Sequence, residues 1–176
     1  MRDLTDDHVL VQTDPSGTIV VLDRDDDAEV GRVDPLEGMG DCSTIVDRTA
    51  YFLAGGTLRG YDVDDDVVQD LASVPDGGLA SVPVVDDDVF FLAGDTLCQY
   101  DPGDGSLSTL SALPEWAEEV RAANVSGRHF SAALTDDLWV YDRTTGESSV
   151  IELRNAGLPP CAEESQSLAL LDGTPV

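Results

Sequence analysis

The sequence predicts an all-β chain built as a four-bladed β-propeller of four-stranded antiparallel blades. Three observations lead there. A Tyr-Asp or Leu-Asp pair recurs at Leu22-Asp23, Tyr61-Asp62, Tyr100-Asp101 and Tyr141-Asp142, at intervals of 39, 39 and 41 residues. Short runs rich in Val, Ile, Leu and aromatic residues flank each pair, bounded by the Asp, Gly and Pro that punctuate strands and turns. No segment sustains a 3.6-residue period. A repeat near 40 residues holding four strands is the signature of a propeller blade.

The strands follow in order within each unit. First strands are Ser43 to Asp47, Val82 to Asp86 and Ala122 to Ser126. Second strands contain Val9 to Val11, Tyr51 to Ala54, Phe90 to Ala93 and Phe130 to Ala133. Most are apolar at successive positions, as sheets covered on both faces require. Third strands end on the repeated pair, from Thr18, Thr57, Thr96 and Asp137. Fourth strands are weaker, as in Ser149 to Leu153. The opening unit lacks a first strand, and Leu168 to Asp172 supplies it from the other end. Pairing that strand beside Val9 to Thr13 would close a ring and remove an exposed edge. The blades are then approximately 8–33 plus 166–172, 43–74, 80–113 and 120–153, in one domain spanning 1–176. Small residues at Thr44, Pro83, Ala123 and Ala169 form one column near the axis, where strands converge. Pro114 to Ala123 has proline first and early acids, which predicts one or two helical turns.

The pattern Tyr141-Asp-x-x-x-Gly-Glu147 resembles the third strand and outer hairpin of PQQ-like and WD40-like blades. There is no Trp-Asp pair, and the outer-strand tryptophans of many PQQ-like blades are missing. The resemblance therefore implies a blade but no quinone chemistry, and no cofactor is expected.

The charge narrows the partners. The 176 residues carry 36 acids against 9 basic residues, a formal charge of −27, with Asp outnumbering Glu 27 to 9 and no Lys. Such a chain cannot neutralise a phosphate backbone or dock on an anionic membrane. Its self-repulsion is screened at molar salt, where the Debye length is about 3 Å. This composition resembles cytoplasmic proteins of haloarchaea; a cation-loaded acidic protein is the competing reading. No run reaches the length of a membrane span, and Met1 to Asp7 has no apolar signal core, so a cytoplasmic location is expected. Cys42, Cys98 and Cys161 are too few for a disulfide framework and read as inert thiols.

Candidate chemistry is sparse. His8 and His129 share one column of the second strand, and with a nearby Asp they are the candidates for a hydrolase or lyase. They also form a possible metal pair, although metal is not expected. Asp23-x-Asp25-x-Asp27 and Asp62-x-Asp64-x-Asp66 imitate the start of a calcium loop. They fail at position 6 (Ala28, Val67) and at position 12 (Asp34, Ser73), so hydrated hairpin turns account for them. No nucleophile elbow, Walker loop or zinc-protease motif is present.

The connections between blades, 34–41, 75–80, 114–120 and 155–166, should crowd one mouth of the ring together with the turns joining second to third strands. Loops on a rigid scaffold commonly carry binding. The candidate binding residues there are Trp116, Arg121, Glu119, Met39 and Asp41, with Trp and Arg being interface hot-spot types. The leading expectation is a non-enzymatic binding module for a protein partner or for itself. The other two are the histidine-based enzyme and a half-propeller completed by a second copy.

Overall fold

Val, Ile and aromatic side chains alternate with turn residues along almost the whole chain, so the backbone finds its partners in ladders between adjacent strands. The computed structural model describes residues 2–4, 7–13, 17–74, 81–86, 88–117, 120, 122–153, 170–171 and 174–175. Every regular element among them is a strand. No helix among the described residues is long and apolar enough to cross a membrane.

The strands form four antiparallel sheets of four. The first holds β1 (Arg2–Leu4), β2 (His8–Gln12), β3 (Ile19–Asp23) and β4 (Glu29–Val33). The second holds β5 (Met39–Val46), β6 (Thr49–Ala54), β7 (Thr57–Asp62) and β8 (Val67–Ser73). The third holds β9 (Ser81–Asp86), β10 (Asp88–Ala93), β11 (Thr96–Asp101) and β12 (Ser106–Ala112). The fourth holds β13 (Ala122–Ser126), β14 (His129–Ala133), β15 (Asp137–Asp142) and β16 (Glu147–Glu152). A small separate hairpin joins β17 (Leu170–Leu171) to β18 (Thr174–Pro175).

That hairpin corrects one expectation. Of the run Leu168 to Asp172 only Leu170 and Leu171 are described, and they pair with Pro175 and Thr174 instead of with Val9 to Thr13. The place beside β2 is taken by β1, with Arg2 opposite Val11 and Leu4 opposite Val9. A hairpin a few residues long closes at far lower entropic cost than a pairing between chain ends. Contacts between sheets run in series, from β1 and β2 to β5, from β5 to β9, and from β9 to β13. No comparable contact joins the fourth sheet to the first among the described residues.

Two smaller expectations also shift. Among the described residues of Pro114 to Ala123 there is a reverse turn and no helix: the Ala117 N–H donates to the Pro114 carbonyl at 2.8 Å. Ala122 onward is strand β13, because its ladder with β14 satisfies more backbone groups than a short helix could. The small-residue column also slips by one position. Ser43 pairs with Phe52 and Ala123 with Ala132, which aligns Ser43 with Ala123, whereas Thr44 aligns with Val84 and Asn124. The register shift in β9 between the partners of Phe90 and Leu92 causes the slip around Pro83.

Hydrophobic burial lies between the sheets. Leu10, Ile19 and Val21 meet Phe52 and Tyr61 between the first and second. Tyr51, Leu53 and Leu58 meet Phe91 and Tyr100 between the second and third. Phe90, Leu92 and Leu97 meet Phe130, Trp139 and Tyr141 between the third and fourth. Neighbouring residues of β6 and β10 therefore face opposite sheets, and both strands are buried along nearly their whole length.

The repeated aspartate closes a hairpin in every unit. Asp23 Oδ1 accepts from the N–H of Asp25, and Asp62 Oδ1 from that of Asp64. Asp101 Oδ1 accepts from Gly103 and Asp142 Oδ1 from Thr144. Each turn ends on a left-handed residue: Asp27, Asp66, Gly105 or Gly146. Asp and Gly tolerate that backbone best, which explains the acid triplets.

Tyr61 shows how the repeated aromatic locks two sheets together. Its hydroxyl accepts from the Arg32 N–H of the first sheet at 3.3 Å and donates to Asp66 at 2.8 Å. A methyl group on Gly31 would lie 2.6 Å from that hydroxyl and 2.8 Å from the ring edge. Gly31→Ala should therefore cost about 1–3 kcal/mol of stability, read as a lower urea midpoint at unchanged slope. Adding Tyr61→Phe should recover only part of the loss, because the ring edge still clashes. Equal stability of wild type and Gly31→Ala would show that this interface is not tightly packed.

Candidate functional site

Two ends of the sheets carry the loops, and they differ in chemistry. At one end the second-to-third turns of the second, third and fourth sheets bind the chain leaving their own sheet. Val74 donates to Gly56 O, Leu113 to Asp95 O and Leu153 to Asp136 O. The connection after β4 joins the same end, where Gly55 donates to Gly38 O at 3.1 Å. A Cβ on Gly38 would stand 3.0 Å from the Gly55 backbone, so only glycine fits there without a shift. This is the end that the sequence marks as a mouth.

The candidate residues have different fates at this end. Trp116 follows Pro114 in the turn between β12 and β13 and is 54% exposed. Met39 opens β5 and packs half-buried against the core between the first and second sheets. Asp41 lies in the irregular stretch of β5 between Met39 and Ser43, and its side chain is outside the described part. Glu119 and Arg121 lie outside the described residues. A buried polar link sits nearby: Gln12 Nε2 donates to Gly40 O at 2.7 Å, and Ser43 Oγ donates to Gln12 Oε1 at 3.0 Å. It ties the first sheet to the inner strand of the second.

The histidines keep their shared column, His8 opposite Asp23 and His129 opposite Asp142. They belong to sheets at opposite ends of the series. His8 alternates with Leu10 and Gln12, which face the second sheet, whereas His129 alternates with Ser131 and Ala133 on the face turned from the third. His129 Nε2 accepts from Arg128 Nε at 3.3 Å and lies 3.8 Å from the Asp142 carboxylate. Among the described residues no group of three or more His, Cys, Asp or Glu is arranged to hold a metal ion. Cys98 is a buried free thiol whose pKa is pushed up by burial. The Cys42 side chain and Cys161 lie outside the described part.

The opposite end holds a feature absent from the candidate residues named above. A cavity of about 440 Å³ opens between the third and fourth sheets, lined by Gln99, Leu110, Gly127, Arg128, Tyr141, Arg143 and Thr144. The Arg143 guanidinium lies 4.4 Å from the centroid of the Phe90 ring, and its Nη1 donates to Gly127 O at 3.0 Å. Arg128 Nη2 stands 3.3 Å from the Asp142 carboxylate. Tyr141 stacks on the buried Trp139, with ring centroids 6.2 Å apart and planes inclined by 17°.

The repeat contains the signal for this pair. Arg143 donates its N–H to Arg128 O, and the same backbone bond joins Arg24 to Asp7 and Val63 to Arg48. The two columns read Asp7 and Arg24, Arg48 and Val63, Asp87 and Pro102, then Arg128 and Arg143. Only the fourth unit places arginine in both.

No family model matches the chain, and no curated protein matches it in sequence. Solved structures do resemble it. A computationally designed protein, Ika8, is 19% identical with a TM-score of 0.58 over 82% of this chain and 46% of that one. The extracellular domain of a putative hybrid two component system, BT4673, from B. thetaiotaomicron is 15% identical with a TM-score of 0.64 over 86% and 22%. The N-terminal domain of Nup159 is 12% identical with a TM-score of 0.59 over 90% and 46%. The chain thus spans less than half the length of each. At these identities the likeness carries the fold alone. The class is all-β and propeller-like, built from antiparallel four-stranded sheets.

Asp142 ties the fourth hairpin to Arg128. The Thr144 N–H holds its carboxyl below the usual carboxylate range, helped by the Thr145 N–H, Arg128 and His129. A carboxyl lowered in the folded chain contributes stability above the unfolded carboxyl range and loses it as pH falls through the folded value. Asp142→Asn keeps an acceptor oxygen but cannot ionise. Its urea midpoint should therefore fall less than that of wild type between neutral pH and the acid range, at fixed salt. Parallel pH profiles would mean that Asp142 makes no net contribution.

Proposed function

We propose that the chain is a non-enzymatic protein-binding or scaffold module, working in a salt-rich cytoplasm. The observation that carries this reading is Trp116, a large aromatic more than half exposed in the connection between the third and fourth sheets. Aromatic anchors of this kind dominate interface energetics when a partner covers them. The described turns at this end are pinned by backbone hydrogen bonds, which lowers the ordering needed on binding. Arg121, Glu119 and Asp41 would supply the polar rim. Nup159, whose N-terminal domain resembles this chain, has been seen bound with Dbp5 from S. cerevisiae, which is in keeping with an interaction role for the fold. The excess of Asp and the lack of Lys favour a partner met at high salt, where long-range repulsion is screened.

Self-association is the second reading, in which two copies complete a larger ring. It is favoured by the series of sheets, which shows no strong contact from last to first among the described residues, and by neighbours of which this chain covers less than half. Val11, Val20 and Leu22 alternate away from the second sheet and are only half-buried, which gives the second copy an apolar landing.

Replacing Trp116 and Arg121 by Ala should abolish partner recovery in pull-downs at molar salt while the unfolding midpoint stays near wild type. Unchanged recovery would sink the mouth reading. Light scattering at molar salt should give the mass of one chain for the first reading and of two for the second.

A further inference from the structure

We propose that the open edge of β16 takes up an extended segment of a partner protein as a fifth, antiparallel strand, with basic residues at its two ends. This surface goes beyond the Trp116 reading and does not depend on it. The first support is the regularity of the edge. Each sheet ends on an outer strand, β4, β8, β12 or β16, and among the described residues no further strand pairs with any of them. Three of the four are irregular. Val30, Leu71 and Leu110 are each one residue in excess of the partner strand, where the register shifts. Such bulges twist an edge away from incoming strands, and charges in mid-strand also protect it. β4 carries Arg32 and β8 carries Asp70. β16 has neither device. Its six residues pair with β15 without a shift, from Asp137 opposite Glu152 to Asp142 opposite Glu147. Its four central residues, Ser148 to Ile151, are uncharged.

Backbone direction is the second support. Leu153 donates its N–H to Asp136 O, and Leu134 donates to Asp137 O on the other side of β15. Backbone groups alternate in direction along an antiparallel pair. Ser149 and Ile151 therefore bond β15, and the N–H and C=O of Ser148 and Val150 point to the open edge. Both residues are exposed, Val150 to 39%. Strand addition draws affinity from main-chain hydrogen bonds and selectivity from alternate side chains. Charge selects the occupant. An antiparallel segment along the whole edge meets Glu152 with its first residue and Glu147 with its sixth. Opposite charges across such a pair are favoured and like charges are not. A second copy of β16 would set Glu147 against Glu152 at both ends. No two of the nine arginines stand five positions apart and there is no Lys, so no segment of this chain supplies the basic ends. The occupant is a segment of another protein, apolar opposite Ile151 and Val150 and polar opposite Ser149 and Ser148. In molar salt charges more than about 3 Å apart are largely screened, so the end pairs act only at contact. The main chain then carries the affinity and the ends set the register.

The test is a titration of the full chain with the end-blocked hexapeptide Arg-Val-Val-Thr-Thr-Arg in molar potassium chloride, followed by backbone amide signals in a proton–nitrogen spectrum. The Ser148 and Val150 amides should shift to saturation and exchange more slowly with solvent, while those of β4, β8 and β12 stay still. Methylating the amide nitrogen of the third peptide residue removes the donor to Val150 O and should weaken binding roughly threefold to tenfold, the scale of one hydrogen bond. The same change at the fourth residue, whose N–H points outward, should leave the affinity unchanged. A peptide with Glu at both ends should bind more weakly. Val150→Pro removes an edge donor that the β15 ladder does not use, so the chain should stay folded and lose the peptide. If that variant unfolds, the paired N-methyl peptides still decide the matter on the wild-type chain. The proposal is overturned if the hexapeptide gives no saturable shift at Ser148 and Val150, or if both N-methyl peptides bind alike. It is also overturned if the Glu-ended peptide binds as tightly. Protection of the same amides by raised protein concentration alone would make the occupant a second copy and overturn it too.

Discussion

A four-stranded sheet of short strands cannot bury its own apolar side chains; only a second sheet laid on its face can do so. Everything else in this molecule follows from that need. The second strand of an interior sheet must be apolar at successive positions, because alternate residues face different neighbours. Tyr51 and Phe52 illustrate it: adjacent in sequence, they lie in two separate cores. Phe90 and Phe91 repeat the arrangement one sheet later.

The repeated Tyr-Asp pair answers the same need from two directions. Its aromatic member projects into the interface with the preceding sheet, as Tyr61, Tyr100 and Tyr141 do. Its acidic member turns the chain back by capping backbone N–H groups, so that the fourth strand can pair with the third. One residue therefore fastens sheet to sheet and the next fastens strand to strand. In the first unit the aromatic is replaced by Leu22, and the face it points to is the outermost of the series.

The strands were legible because their evidence is local: β-branched and aromatic runs, and Asp or Gly where the backbone must turn left-handed. The second and third strands of all four units, and the fourth strand at Ser149 to Leu153, lie where the repeat put them. What was not legible depended on competition between distant segments. Arg2-Asp-Leu4 carries little strand signal, yet it takes the place beside β2 because it is nearest. The slip of Thr44 against Ala123 is a one-residue offset between β5 and β13 that shows only once each strand is paired with its own second strand. At the candidate mouth, Trp116 could be read as exposed, whereas Met39 could not be read as a core residue from its loop context. The Arg128 and Arg143 pair was visible in the aligned repeats. Its members are 15 residues apart in the chain and meet only through the backbone bond between the two turns.

Those turn columns have a wider implication. The hydrogen bond across them runs from backbone to backbone in at least three units, under side chains as different as Asp, Arg and Val. The scaffold is thus indifferent to what these positions display. A repeat protein of this design can acquire chemistry at one hairpin pair by as few as two substitutions, with its ladders and cores untouched. The units share a common frame while remaining separately evolvable, and the same positions are where new specificity could be grafted by design.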